Sequence, residues 1–131
     1  MIYLVAKHPE VEKKLREEID ALNEGGYSYE NLKKYRYIEC IQKETTRYFG
    51  PVNYIFSREV AKDHYLKGVA IKKGTKMNVP IASHFKTEYF KDPYTFRPER
   101  WEGETDELPP FVHMGFSGGP RTCIGKHLAL L

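Results

Sequence analysis

The sequence predicts a mainly α-helical chain with a small antiparallel β-hairpin region lodged between the helices and a glycine-rich cysteine loop. Three patterns carry that prediction: apolar residues at helical spacing near the start, strand-favouring residues split by turn signals in the middle, and a concentration of glycine around Cys123 near the end.

Pro9 suits the first turn of a helix, because its missing N–H has no partner to lose there and its fixed φ is already helical. Val11, Leu15, Ile19 and Leu22 then recur on one face with Glu, Lys and Arg between them, which predicts an amphipathic helix over 9–24, ended by Gly25-Gly26. A second helix is predicted over 28–49, broken around Tyr35 and stopped by Gly50-Pro51. Tyr54, Ile55 and Phe56 favour a strand and open a β-hairpin region over 52–81. Within it, Val69 and Ile71 alternate on one side of Lys72-Lys73-Gly74-Thr75, and Met77, Val79 and Ile81 on the other. Segments 65–71 and 77–81 are therefore predicted to pair as a hairpin. Residues 82–115, rich in prolines, aromatics and turns, read as a meander. The cysteine loop follows over 116–125, and 125–131 begin a final helix. No internal repeat or low-complexity tract interrupts this order.

Composition narrows the class of protein. Of 131 residues, 40% are hydrophobic and 30% charged, the balance of a globular chain. The net charge of +3 comes from 21 basic and 18 acidic residues that are intermixed, so no nucleic-acid partner is expected. The best apolar run, residues 2–6, is ended by Lys7 and is far too short to span a bilayer. It also lacks the basic flank and cleavage site of a signal peptide. The two cysteines, Cys40 and Cys123, form no Cys-x-x-Cys pair, which argues against a zinc module or a disulfide framework and fits a reducing compartment. Cys40, between Ile38 and Ile41 on the second helix, reads as core.

Cys123 reads differently. Gly115, Gly118, Gly119 and Gly125 let the backbone around it bend sharply and approach a flat ligand closely. Arg121 places positive charge two residues from the sulfur, favouring thiolate over thiol. The apolar series Ile124, Leu128, Ala129 and Leu131 puts Cys123 at the start of a helix, whose dipole acts in the same sense. A thiolate so placed is a soft metal ligand.

The run Phe116-Ser117-Gly118-Gly119-Pro120-Arg121-Thr122-Cys123-Ile124-Gly125 resembles the haem-thiolate signature of the cytochrome P450 family, Phe-x-x-Gly-x-Arg-x-Cys-x-Gly. Phe96-Arg97-Pro98-Glu99-Arg100-Trp101 resembles a second family segment, Phe-x-Pro-Glu-Arg-aromatic, and Glu44-Thr45-Thr46-Arg47 supplies a Glu-x-x-Arg pair upstream in the right order. The resemblance implies that 1–131 is one partial domain, the proximal C-terminal portion of that fold, of the microsomal type. It implies haem b as cofactor, with Cys123 as the iron ligand, Phe116, Gly119 and Gly125 shaping its loop, and Arg121 on a haem propionate. Arg58 is a second propionate candidate, although an exposed strand arginine explains it equally well. Val52 and Ile55 would border the substrate cavity; ordinary strand packing accounts for them as well. Glu44, Arg47 and Arg100 would form a buried ion-pair network. His84 and His113 have no such motif behind them and read as satisfied loop histidines rather than iron ligands.

By the same resemblance the reaction would be a monooxygenation. The thiolate pushes electron density onto iron and favours O–O cleavage, so one oxygen atom enters a small apolar substrate with two electrons from a reductase. Lys126, beside the sulfur, is a candidate contact for an acidic electron donor. A full-length relative would attach to the endoplasmic reticulum membrane. Three rival readings remain open at this point: a haem-thiolate isomerase or dehydratase, a truncated product without catalytic role, and a non-haem interaction domain that uses Cys123 structurally and leaves the motifs to coincidence. No catalytic residue is expected within these residues, because the family's distal helix, with its acid–alcohol pair, precedes the matched region; residues 1–131 alone are not expected to oxygenate substrate.

Overall fold

The computed structural model describes residues 1–22, 29–32, 34–81, 88–103 and 108–130. Its elements are α1 (Ile2–Lys7), α2 (Pro9–Leu22), α3 (Tyr29–Leu32), α4 (Arg36–Tyr48), β1 (Tyr54–Glu59), β2 (His64–Leu66), β3 (Val69–Ile71), β4 (Lys76–Pro80), 3-10 turns at Pro98–Trp101 and Gly119–Arg121, and α5 (Lys126–Ala129).

The first helix was not expected. The short apolar run is helical and puts Leu4 in the core, and Pro9 then starts α2 with Glu10 and Glu12 in its first turn, where acids favour the helix dipole. Along α2, Val11 is buried and Leu15, Ile19 and Leu22 are half-buried, so the apolar stripe read from spacing is the face that packs. Gly25-Gly26 and Ser28 lie outside the described residues. The second predicted helix is two, α3 and α4, and the break falls at Tyr35 as expected.

The N-terminus of α4 has no cap from its own Tyr35. Glu18 of α2 serves instead, its two oxygens accepting the Tyr37 N–H at 2.8 and 3.1 Å. At the other end Gly50 does stop the helix, but not through a left-handed φ. A Cβ there would sit 2.9 Å from the Thr46 carbonyl oxygen, so only glycine lets the chain leave this way.

The hairpin expectation is corrected. Segment 65–71 does not pair with 77–81: it folds on itself, β2 against β3, through Lys67 and Gly68, both at positive φ as a two-residue hairpin turn requires. Strand β4 pairs antiparallel with β1 across a register shift between Ile55 and Arg58. Val60 decides this pairing. Its N–H donates to Thr75 O at 2.9 Å and its C=O accepts from Gly74 N–H at 2.8 Å, drawing the outgoing chain onto β1.

The core forms where α1, α2 and α4 meet the second half of the chain. Leu4, Val11, Tyr37, Cys40, Ile41 and Phe96 are buried together, with Leu15, Tyr48 and Trp101 packed against them. Cys40 is the core residue expected, and its burial pushes the thiol pKa up.

A polar clamp ties this core to the Pro98–Trp101 turn. Tyr37 Oη donates to Glu99 Oε1 at 2.5 Å, and Lys14 Nζ reaches Glu99 at 3.5 Å and Glu102 at 3.0 Å. Burial, then the Glu99 hydrogen bond and charge, raise the Tyr37 pKa, so it stays a donor at all ordinary pH values. Tyr37→Phe should lower stability by about 1.5 kcal/mol in urea melts, the low end for a bond to a charged group because Glu99 is partly exposed. An unshifted midpoint would mean that the clamp contributes nothing.

Candidate functional site

Glu44 is the hub of the buried polar structure. Helical geometry sets Arg47 one turn along α4, and Arg47 donates Nε to Glu44 Oε2 at 2.8 Å and Nη2 to Oε1 at 2.6 Å. From the 3-10 turn, Arg100 Nε donates to Oε1 at 3.1 Å and the Trp101 indole N–H to Oε2 at 2.9 Å, while the Arg97 backbone N–H donates to Oε1 at 2.9 Å. Glu44 is 0% exposed, and Arg47 and Arg100 are each 1% exposed.

One carboxylate cannot neutralise two guanidinium groups. Backbone carbonyls accept the remaining N–H groups: Pro93 and Thr95 from Arg47, and Lys91, Asp92 and Thr95 from Arg100. The cations therefore hold the 91–95 backbone in place, and the Phe90 ring lies 5.2 Å from the Arg47 guanidinium. Burial alone would raise the Glu44 carboxyl, but the hydrogen bonds from Arg47 and Arg97 and the charges of Arg47 and Arg100 together outweigh it and hold it below the usual carboxylate range. The expected triad is thus present. Trp101 and the Arg97 N–H were missed, although an indole beside Arg100 carries an N–H that needs a partner when buried.

The cysteine loop leaves the core through Gly115. A Cβ there would lie 2.7 Å from Thr46 Oγ1, so the loop backbone rests directly on α4. Ser117 and Gly119 take positive φ, the chain reverses, and Cys123 N–H donates to Phe116 O at 2.9 Å. Cys123 is exposed, Phe116 half-buried, and Gly125 adds no side chain beside the sulfur. The helix start lies later than expected: α5 begins at Lys126 with Gly125 as cap, and Cys123 precedes it, its C=O accepting the Lys126 N–H at 3.2 Å.

Phe116, Gly119, Cys123 and Gly125 therefore share one loop, with Arg121 exposed on it. Arg58 is exposed on β1, opposite Met77. Neither guanidinium has a hydrogen bond or ion pair among the described residues. Ile124 is fully exposed and Leu128 is 78% exposed, so an uncovered apolar surface flanks the thiol. Val52 is exposed; the Ile55 side chain and His84 lie outside the described residues. His113 is a satisfied loop histidine, its Nε2 lying 3.0 Å from Thr46 Oγ1. A groove of about 490 Å³ opens between α3, α4 and Phe116, but Cys123 is not among its walls.

The cytochrome P450 family model matches residues 1–131. Cytochrome P450 4V2 of Homo sapiens is 38% identical over 99% of this chain and 26% of its own length; cytochrome P450 3A5 of Homo sapiens is 37% identical over the same shares. Cytochrome P450 3A19 of Capra hircus aegagrus is 38% identical over the whole of this chain and 62% of its own. The retinoic-acid-bound cyanobacterial CYP120A1 structure superposes with a TM-score of 0.88 at 31% identity, over 97% of this chain and 30% of that one. The chain thus spans about a quarter of the length of most of these curated relatives.

Truncating Arg100 to alanine should cost about 3–5 kcal/mol, because it strips a buried carboxylate of a partner. The network also sets a pH dependence. The Glu44 carboxyl sits below its unfolded value, so its ionised form stabilises the fold fully above the ordinary glutamate pKa of about 4.3. That contribution drains away as pH falls through the depressed folded value. The wild-type advantage over Glu44→Gln in urea melts should accordingly be flat above about pH 5 and shrink below about pH 4. An advantage that held constant to pH 2.5 would contradict the assignment.

Proposed function

The chain belongs to the cytochrome P450 family, and on that premise we propose that it supplies the proximal, thiolate-bearing wall of a haem-dependent monooxygenase acting on an apolar substrate. The observation that carries this reading is the exposed Cys123 sulfur on a loop whose glycines and backbone hydrogen bonds leave it uncovered.

The donor set fits a haem. Among the described residues no cluster of three or more His, Cys, Asp or Glu could hold a bare metal ion. A haem would bring its iron already held by the porphyrin and would need only a single donor from the protein. Cys123 would be that donor, the exposed Ile124 and Leu128 would add apolar surface for the haem, and the exposed Arg121 and Arg58, with no hydrogen bond or ion pair among the described residues, would hold its propionates. Phe116 braces the loop, while Gly119 and Gly125 keep side chains out of the way. When bound, thiolate-ligated haem b supplies dioxygen activation and transfer of one oxygen atom, fed by two electrons from a reductase. The residues of this chain hold the ligand, fix its loop and neutralise the propionates. We also assign attachment at the endoplasmic reticulum membrane to the full-length protein, while no helix of the described residues is long and apolar enough to cross a membrane.

The test uses the full-length polypeptide carrying this segment. Its reduced carbon monoxide complex should show the red-shifted Soret band of a thiolate ligand, and Cys123→Ser should move that band to the position typical of nitrogen or oxygen ligation. An unchanged spectrum would put the iron on another residue.

Lys126, exposed beside the thiol loop, is the proposed contact for an acidic electron donor. Because rim charges act on association rate, Lys126→Glu should slow reduction most at low salt and converge with wild type at high salt. Equal reduction rates for both proteins at every ionic strength would dispose of this contact.

A further inference from the structure

His113 touches both halves of the scaffold at once. Its ring centroid lies 4.8 Å from that of Trp101, whose indole N–H is bonded to Glu44. Its Nε2 lies 3.0 Å from Oγ1 of Thr46, on α4 between Glu44 and Arg47. The direction of that bond follows from the hydroxyl's single proton. Thr46 Oγ1 lies 2.9 Å from Lys43 O and 3.2 Å from Gln42 O, helix carbonyls that can only accept. The hydroxyl proton goes to them, leaving an oxygen lone pair for the ring, so the imidazole donates Nε2–H.

The loop backbone presses on this very contact. A Cβ on Gly115 would lie 2.7 Å from Thr46 Oγ1 and 3.3 Å from His113 Nε2, so the chain crosses the Thr46–His113 bond at the one residue type that can. One residue later, Phe116 O accepts the Cys123 N–H at 2.9 Å. The contacts thus run without a gap from Glu44 through Trp101 and His113 to Thr46, Gly115, Phe116 and Cys123.

We propose that His113 is a positioning residue for Cys123: by donating to Thr46 while packed on Trp101, it fixes where the cysteine loop departs from α4. The loop takes positive φ at Ser117 and Gly119 and has an exposed tip; Gln42 Nε2 of α4 holds the chain beyond it through Ala129 O at 2.9 Å, and the Gly115 crossing sets where the loop departs. Small displacements there move the sulfur, and a metal ligand is only as well placed as the bonds behind it.

The inference rests on the thiolate reading of Cys123 for its spectroscopic readout. In the full-length haem-loaded protein, the decay of the thiolate-type carbon monoxide band under mild denaturant is timed for wild type and variants. His113→Phe keeps a ring against Trp101 but has no N–H, and its band should decay about fivefold to tenfold faster, the equivalent of one lost hydrogen bond. His113→Gln can present an amide N–H to Thr46 and should recover most of the difference. Thr46→Val should match His113→Phe, and the double variant should be no worse than either. Wild-type decay in His113→Phe, failure of His113→Gln to recover, or additive losses in the double variant would each overturn the proposal. If Cys123→Ser leaves the band unchanged, the thiolate reading fails separately. The same cycle read by urea unfolding then decides whether Thr46 and His113 act as a unit, and additivity there overturns the positioning role.

Discussion

The Glu44 carboxylate is the constraint around which the described structure is arranged. It accepts hydrogen bonds from two guanidinium groups, an indole and a backbone amide, and it has no access to water. A buried ion of this kind is tolerated only when every donor arrives with good geometry. Those donors come from one helix and from a turn more than fifty residues away, so satisfying them fixes the relation between the two. The excess positive charge then spreads onto carbonyls of residues 91–95, which converts an irregular stretch into a defined support.

Other contacts extend this rigidity in two directions. Towards the N-terminus, Glu18 caps α4 while Lys14 and Tyr37 grip Glu99, so α2, α4 and the Pro98–Trp101 turn are joined by polar as well as apolar contacts. Towards the cysteine loop the contacts pass through Trp101, His113, Thr46 and the bare backbone of Gly115, with Gln42 of α4 holding Ala129 O beyond it. The loop beyond Gly115 carries the exposed Cys123. Immobile support and an accessible thiol are met by separate parts of the chain, the first by buried charge and aromatic packing, the second by glycine.

Local patterns were legible wherever one stretch of chain dictated its own shape. The amphipathic stripe of α2, the break at Tyr35, the stop at Gly50 and the identity of the Glu44–Arg47–Arg100 triad all followed from spacing or from a motif. Strand pairing did not. Segments 65–71 and 77–81 alternate as a hairpin should, but the Lys67-Gly68 turn closes a shorter one, and Val60 then captures the outgoing strand for β1. Alternation marks which residues are strand-like without naming the partner, because every antiparallel neighbour offers the same backbone groups.

By itself, then, the sequence determined the residue chemistry on offer: a cysteine in a glycine-rich loop two residues from Arg121, and a Glu-x-x-Arg helix preceding a Pro-Glu-Arg turn. These are properties of residue type and spacing, and they survive any rearrangement of the chain around them. Only the tertiary structure decided that Glu44 takes Trp101 and the Arg97 amide as further donors, that Glu18 caps a helix it does not belong to, and that His113 stands between Trp101 and Thr46. Each of these joins residues 12 to 67 positions apart. Their partners are selected by which donors and acceptors are left unsatisfied once the core has closed, and that is a property of the folded whole.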